Sequence, residues 1–181
     1  MVTADSNSAD ENAAAAYREA QDRIARAAIN GDTGLNLGEL GLTSVPPEIS
    51  QLANHIEYLC LSNNQLTSLP SEIGQFAKLW QFELFNNKLT RLPPEVGRLS
   101  RLRRLVLSHN RLTSLPSEIG LLGNLGELEL INNQLTSLPP EIGQLAKLWK
   151  LWLHDNQLTS LPPEIGRSCP FPELGFSRIG G

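Results

Sequence analysis

Residues 125–147 read LGELELINNQLTSLPPEIGQLAK, and the same pattern returns every 23 residues through the middle of the chain. Each copy carries leucines at fixed places, then an asparagine, and then a Leu-Pro-x-Glu-Ile/Val-Gly segment. The asparagines that mark the period are Asn64, Asn87, Asn110, Asn133 and Asn156. A fixed period of this length predicts a solenoid, in which each unit buries its apolar edge against its neighbours.

The Leu-x-x-Leu-x-Leu part of each repeat alternates with period two, which predicts a short strand whose leucines point inward. Burying each such side chain contributes roughly 1.5–3 kcal/mol, and stacking repeats the gain along the coil. The asparagine that follows is expected to turn the chain and to satisfy backbone groups of the adjacent coil. The predicted inward residues are Leu59, Leu61, Phe82, Leu84, Leu105, Leu107, Leu128, Leu130, Leu151 and Leu153.

Residues on the other side of these strands differ from repeat to repeat, whereas the scaffold hardly changes. Residues 63–80 and 132–149 differ at only two places, Ser71 against Pro140 and Phe76 against Leu145. Diversity confined to one face indicates a recognition surface. The candidate binding residues on that face are Tyr58, Cys60, Gln81, Glu83, Phe85, Arg104, Val106, His109, Glu127, Glu129, Ile131, Lys150, Trp152 and His154.

These motifs resemble leucine-rich-repeat proteins of the 23-residue class with Leu-Pro-x-Glu-Ile-Gly returns. Similar units occur in Ras-suppressor-like and plant intracellular Ras-group proteins, in bacterial Roco proteins and in effectors of plant-pathogenic bacteria. The resemblance covers about residues 32–179. It implies an α/β solenoid: a right-handed curved coil with a parallel β-sheet on its concave side and an N-terminal capping helix. It also implies protein binding through the concave side, although a fold does not determine a function.

The segments outside the regular repeats predict how the solenoid is closed at its ends. Ser8 and Glu11 have the spacing of a helix capping box, and Tyr17, Ala20, Ile24 and Ala28 predict one apolar helix face. The first coil has Leu40 at the asparagine place and is one residue longer. The predicted segments are a flexible leader (1–9), a capping helix (10–31), a transitional repeat (32–55), five repeats (56–170) and a degenerate, truncated coil (171–181).

The last coil starts a strand in phase with the repeats at residue 171, but it has Ile179 at the asparagine place. An unprotected strand edge tends to pair with other chains. Self-association through this open edge is therefore one expectation, and continuation into a longer protein is the other.

Composition narrows the range of partners. The 181 residues carry a net charge of −4, which disfavours general binding to nucleic acid or to anionic membranes. There is no apolar run long enough to span a membrane and no apolar core of a secretory signal. Two cysteines, Cys60 and Cys169, form no spaced framework. We expect a cytoplasmic location, or delivery into a host cell by a non-classical export route.

Aromatic and charged side chains suggest how the outward face could bind. Tyr58, Phe85 and Trp152 are placed outward, and Trp80 and Trp149 flank the strands, where they either contact a partner or pack against neighbouring coils. Arg103, Arg104, His109 and Arg111 form a positive strip beside Glu127 and Glu129. The strip either matches a partner of mixed charge or is neutralised by pairing between strands.

Catalytic chemistry finds little support in the sequence. His55, His109 and His154 lie in different coils, too far apart to share a metal ion, and no phosphate-binding glycine loop is present. We therefore expect a non-enzymatic protein-binding module with no cofactor and no metal. One alternative is the recognition part of a larger effector or signalling protein whose catalysis lies elsewhere. Another is a carbohydrate or small-ligand binder that uses Tyr58 and Trp152 for stacking.

Overall fold

A computed structural model describes the backbone of residues 4–165 and 173–175 and the side chains of residues 11–165. The chain is an α/β solenoid, as predicted. One helix, α1 (Ala4–Asn30), precedes a seven-stranded parallel sheet whose strands follow in chain order. The strands are β1 (Gly34–Asn36), β2 (Tyr58–Cys60), β3 (Gln81–Glu83), β4 (Arg104–Val106), β5 (Glu127–Glu129), β6 (Lys150–Trp152) and β7 (Glu173–Gly175).

Helix α1 is longer at its N-terminus than predicted. It includes residues 4–9 of the expected leader, while residues 1–3 lie outside the described residues. Residues 4–30 contain no glycine or proline, so no helix-breaking residue separates residues 4–9 from the rest of the helix. Ser8 therefore lies inside the helix and is not its N-cap.

The buried face of α1 also differs by one residue from the prediction. Ala20, Ile24 and Ala27 are buried, Tyr17 is half-buried, and Ala28 is exposed. A residue seven places after Ala20 returns almost to the same helix face, whereas one eight places after it is rotated away. The helix covers the first coil, to which Gln21 Nε2 donates a 2.7 Å hydrogen bond at Glu48 Oε1.

Every strand pairs with the next at the equivalent residue of the repeat, so Tyr58, Gln81, Arg104, Glu127 and Lys150 form one column across the sheet. The first coil keeps this register despite its extra residue, since Gly34 pairs with Tyr58. At the other end, Lys150 pairs with Glu173 of β7. The rest of the predicted truncated coil, 171–172 and 176–181, lies outside the described residues.

Five return segments of the described residues form short 3₁₀ helices, each of which begins directly after a proline. Their bounds are Pro47–Leu52, Ser71–Gln75, Pro94–Arg98, Ser117–Leu121 and Pro140–Gln144. Successive 3₁₀ helices pack at glycines: a Cβ added to Gly97 would lie 2.5 Å from the backbone oxygen of Glu118, and the glycines of neighbouring repeats are equally close to the next coil. The repeated glycine therefore permits backbone contact between coils.

The core runs through the whole solenoid between strands and 3₁₀ helices. All ten predicted inward residues are buried, with exposures between 0% and 4%. Phe76 takes the place of a leucine in its repeat and is also completely buried. The inward half of the strand prediction is confirmed.

The predicted role of the asparagines is confirmed as well. The Oδ1 atom of Asn110 accepts a 3.0 Å hydrogen bond from the Leu89 amide, and its Nδ2 donates 2.9 Å bonds to the carbonyls of Leu84 and Leu107. The equivalent asparagines make the same set of bonds in their own repeats. We call this column the asparagine ladder. It satisfies backbone groups where the chain leaves the sheet.

Candidate protein-binding surface

The solvent-facing side of the sheet, here called the concave face, carries the fourteen predicted binding residues. Strand register aligns them in columns: one begins at Tyr58, and a second, beginning at Cys60, includes Glu83, Val106, Glu129 and Trp152. Cys60 and Val106 are almost completely buried, at 8% and 7% exposure. They therefore form the floor of this face and contribute little contact area.

At the N-terminal end of the face, three predicted residues form one polar cluster. Tyr58 Oη donates to Glu83 Oε2 at 3.0 Å, and Gln81 Nε2 donates to Glu83 Oε1 at 2.6 Å. Burial, reinforced by the neighbouring Cys60 thiol and the Glu83 carboxylate, raises the pKa of Tyr58 well above its ordinary value. Tyr58 thus remains a hydrogen-bond donor and holds the Glu83 carboxylate in place.

In the centre of the face, Arg104 is matched to carboxylates of the next strand. Its Nη2 lies 2.9 Å from Glu129 Oε1, and its Nε lies 3.7 Å from Glu127 Oε2, too far for a hydrogen bond. The predicted positive strip is therefore neutralised at Arg104 by pairing between strands. Arg103 lies on the flank of the sheet, in the residue place that directly precedes the strand.

The next column contains Phe85, the most exposed large apolar side chain among the predicted binding residues. Phe85 is 37% exposed, and its ring packs against His109 with 4.9 Å between centroids and an interplanar angle of 66°. Ile131 is half-buried one repeat beyond His109. An exposed aromatic ring held by a neighbouring ring is typical of protein-binding sites.

His109 belongs to another column, at the place directly before the asparagine ladder. This column was not recognised from the sequence as a structural feature. Glu39, Asn63, Asn86, His109, Asn132 and Asp155 all have positive φ angles, between 52° and 62°. Asparagine and aspartate tolerate this conformation better than most residues, and the repeated Asn in this column was the available signal. Asn132 Nδ2 lies 2.9 Å from His109 Nδ1, which holds the histidine ring at the rim of the concave face.

At the C-terminal end, one lysine lies between two tryptophans. Lys150 Nζ is 4.8 Å from the ring centroid of Trp149 and 4.7 Å from that of Trp152, distances typical of cation–π contacts. His154 Nδ1 lies 3.0 Å from Asp155 Oδ2. The predicted residues Lys150, Trp152 and His154 thus occupy one end of the face. Tyr58 is four strands away, about 19 Å at the usual strand spacing, so it cannot stack on the same ligand ring as Trp152.

The described residues contain no group of three or more His, Cys, Asp and Glu side chains that could hold a metal ion. Within the same part of the chain, no helix combines the length and apolar character needed to cross a membrane.

Comparison with known proteins identifies the repeats. The profile of the family described as "Leucine rich repeat" matches residues 90–164, and a second profile with the same description matches residues 55–76. No curated protein sequence matches the chain significantly.

Several solved structures are similar. A leucine-rich-repeat protein of Leptospira interrogans is 39% identical, with a TM-score of 0.67 over 78% of this chain and 42% of its own. YopM of Yersinia enterocolitica is 31% identical, with a TM-score of 0.65 over 80% of this chain and 29% of its own.

A plant structure is similar over a smaller share of its own length. The ectodomain of the receptor kinase GASSHO1/SCHENGEN3 of Arabidopsis thaliana, solved with CASPARIAN STRIP INTEGRITY FACTOR 2, is 36% identical, with a TM-score of 0.66 over 75% of this chain and 17% of its own. The present chain therefore spans less than half the length of each of these structures.

Proposed function

The chain belongs to the leucine-rich-repeat family, and from this premise we propose that it is a non-enzymatic module that binds a partner protein through its concave face. The family typically provides interaction surfaces. The finer proposal concerns which surface binds and which residues carry the binding.

One observation carries the proposal: repeats that are nearly identical in their scaffold differ in the columns that face solvent. The column of Tyr58 continues with glutamine, arginine, glutamate and lysine, whereas the asparagine ladder and the Leu-Pro-x-Glu segment hardly change. Packing alone would favour the same residue in each repeat, because each outward place has an equivalent backbone environment. Recognition of an irregular partner surface explains why these places differ.

The size and chemistry of the concave face fit a globular protein. Seven strands at about 4.8 Å spacing extend over roughly 29 Å, which matches an interface of about 800 Å² per partner. Phe85 and Trp152 provide aromatic anchors, and charged groups surround them. Aromatic anchors within a polar rim are the usual arrangement of binding hot spots.

The plant receptor ectodomain that resembles this chain was solved in complex with CASPARIAN STRIP INTEGRITY FACTOR 2. A complex of this kind supports a protein or peptide as the class of partner. The same concave surface would serve whether the chain acts alone or as the recognition part of a larger effector or signalling protein.

We also propose a reducing location, either cytoplasmic or reached by non-classical delivery into a host cell. Cys60 is a free, buried thiol among the described residues, and free thiols persist in reducing compartments. Fractionation of expressing cells tests this proposal, and recovery of the protein only from the oxidising extracellular fraction would contradict it.

The binding proposal is tested by affinity capture with two matched double variants. Phe85→Ala/Trp152→Ala removes both anchors of the concave face. The control, Ile29→Ala/Leu121→Ala, removes two apolar side chains that are 84% and 63% exposed outside that face. Both variants should retain the circular dichroism spectrum of the native chain, because none of the four side chains is part of the core.

We expect proteins identified by mass spectrometry to be retained by the native chain and the control but lost from the concave-face variant. Binding of the purified partner, measured by calorimetry, should weaken at least tenfold in that variant. Equal retention by all three proteins would refute the concave-face assignment.

A further inference from the structure

A second surface lies on the flank of the sheet, where the chain enters the strands. Two adjoining open depressions, with volumes of about 440 and 520 Å³, follow this edge. We call them together the flank groove, defined by Trp80, Arg101, Arg103, Asn124, Gly126 and Trp149. The second depression is also lined by Gln81, Arg104 and Glu127, so the flank groove adjoins the concave face along this edge.

At one place the groove is bordered by bare backbone, because a side chain is missing there. The column that precedes the strands contains Glu57, Trp80, Arg103, Gly126 and Trp149, so only Gly126 lacks a side chain. A Cβ at Gly126 would lie 2.9 Å from Nε1 of Trp149. The Trp149 indole therefore lies against the backbone of Gly126, in the space that a side chain there would fill.

Two large aromatic surfaces border the groove and remain accessible. Trp80 is 41% exposed and Trp149 is 46% exposed. They stand three strands apart, about 14 Å at the usual strand spacing, which an extended peptide covers with four or five residues. Exposed tryptophans at such places provide contact area at a low cost in conformational entropy.

The charge of the groove is opposite to that of the chain. Lys78, Arg101, Arg103 and Lys147 line it, although the chain as a whole carries −4. Within residues 11–165, none of these four forms an ion pair with a carboxylate, and Lys147 Nζ instead donates to Asn124 Oδ1 at 2.6 Å. By contrast, the nearby Arg104 is matched to Glu127 and Glu129. The cations of the groove are thus available to an external anion.

We propose that the flank groove binds an extended acidic peptide segment of another protein, with carboxylates against Arg101 and Arg103 and apolar side chains against Trp80 and Trp149. Arginine favours carboxylates because its planar fork offers paired donors. Glu57 and Glu127 also line the groove, and they would repel the evenly spaced phosphates of a nucleic acid. A peptide can place neutral residues opposite them.

The probe is a fluorescein-labelled ten-residue peptide of glutamate and serine with two leucines set four residues apart, and its control has glutamine in place of every glutamate. Fluorescence anisotropy at low salt measures binding to the full chain. In a Trp152→Phe background, the two remaining tryptophans both line the groove, so quenching of their emission reports occupation of this site.

We expect the native chain to bind the glutamate peptide at least tenfold more tightly than the glutamine peptide. Arg101→Gln/Arg103→Gln should weaken binding about tenfold, and Trp80→Ala/Trp149→Ala should also weaken it. Arg91→Gln/Arg98→Gln makes the same charge change at exposed arginines outside the groove and should change the affinity less than twofold. Phe85→Ala/Trp152→Ala should leave peptide binding intact, which separates this site from the concave face.

Equal loss of binding in the two arginine variants would show that affinity depends only on the net charge of the chain, and it would overturn the proposal. Loss in the Phe85→Ala/Trp152→Ala variant would move the peptide to the concave face and also overturn it. A single-stranded oligothymidylate that binds more tightly than the peptide would replace the proposed ligand with nucleic acid.

Discussion

Arg104 on β4 donates a 2.9 Å hydrogen bond to Glu129 on β5, across the middle of the concave face. The Glu129 side chain is only 15% exposed, whereas that of Arg104 is 41% exposed. The contact therefore holds a shielded carboxylate in place. It makes Arg104 part of the sheet's electrostatic balance as well as of the proposed binding surface.

Arg104→Glu should lower the free energy of unfolding by about 1–2 kcal/mol, because it removes a cross-strand pair and places three carboxylates together. Urea denaturation measures the loss. Arg101→Glu makes the same charge change at an exposed residue with no ion pair in the described part of the chain and should cost less. Equal losses in the two variants would show that the Arg104 pair contributes nothing specific.

Asn110→Ala should destabilise the chain by about 1–3 kcal/mol, because it leaves the Leu89 amide without its buried partner. The carbonyls of Leu84 and Leu107 each lose one of two bonds, since Asn87 and Asn133 still donate to them. Asn156→Ala removes the equivalent bonds at a half-buried place, where water can replace them, and should cost less. Denaturant unfolding of both variants provides the comparison. A larger loss at Asn156 would contradict this account of the ladder.

Gly97→Ala should be strongly destabilising, by about 2 kcal/mol or more, because its Cβ would meet the Glu118 backbone oxygen at 2.5 Å and the coils would have to separate. Gly123 provides the matched control, since a Cβ there meets nothing within 4 Å. Gly123→Ala should be neutral or stabilising by up to about 1 kcal/mol. Thermal unfolding distinguishes the two, and similar midpoints would refute close packing of the 3₁₀ helices.

Tyr58 predicts a loss of stability at high pH. The pKa of Tyr58 in the folded chain is raised above the ordinary value of 10.0. Its contribution to the free energy of unfolding is therefore complete below pH 10.0 and declines at higher pH, where the unfolded chain loses the tyrosine proton first. Between pH 9 and pH 11 the decline should reach at most about 1 kcal/mol, since solvent screens a half-buried group. Urea denaturation of the native chain and of Tyr58→Phe measures it, and equal declines in both would exclude this role.

The repeating parts of the fold could be predicted from the sequence because each repeat tests the others. Leu105 and Leu107, for example, occupy the same inward places as their equivalents in neighbouring repeats, and all are buried. The role of Asn110 followed from the need to satisfy backbone groups at the same place in every coil. Parallel pairing at equivalent residues then aligned the outward columns.

The non-repeating parts could not be predicted in the same way. Trp149 contacts Gly126 because the two residues occupy the same place in consecutive repeats, where one residue is large and the other has no side chain. The sequence left two interpretations of Arg104, and only the positions of Glu127 and Glu129 side chains favour neutralisation. The left-handed backbone conformation of His109 could not be predicted, because the residue type in its column changes between asparagine, histidine, aspartate and glutamate.

The near-identity of residues 63–80 and 132–149 has a genetic consequence. Unequal exchange between the corresponding DNA segments would remove or duplicate three whole repeats while joining them in phase. Because each strand pairs only with its neighbours in the repeat order, the new junction would reproduce the leucine and asparagine contacts of the scaffold, whereas the outward columns would gain new neighbours. The reading frame can therefore change in length by whole repeats while the scaffold contacts are kept and the outward face is rearranged.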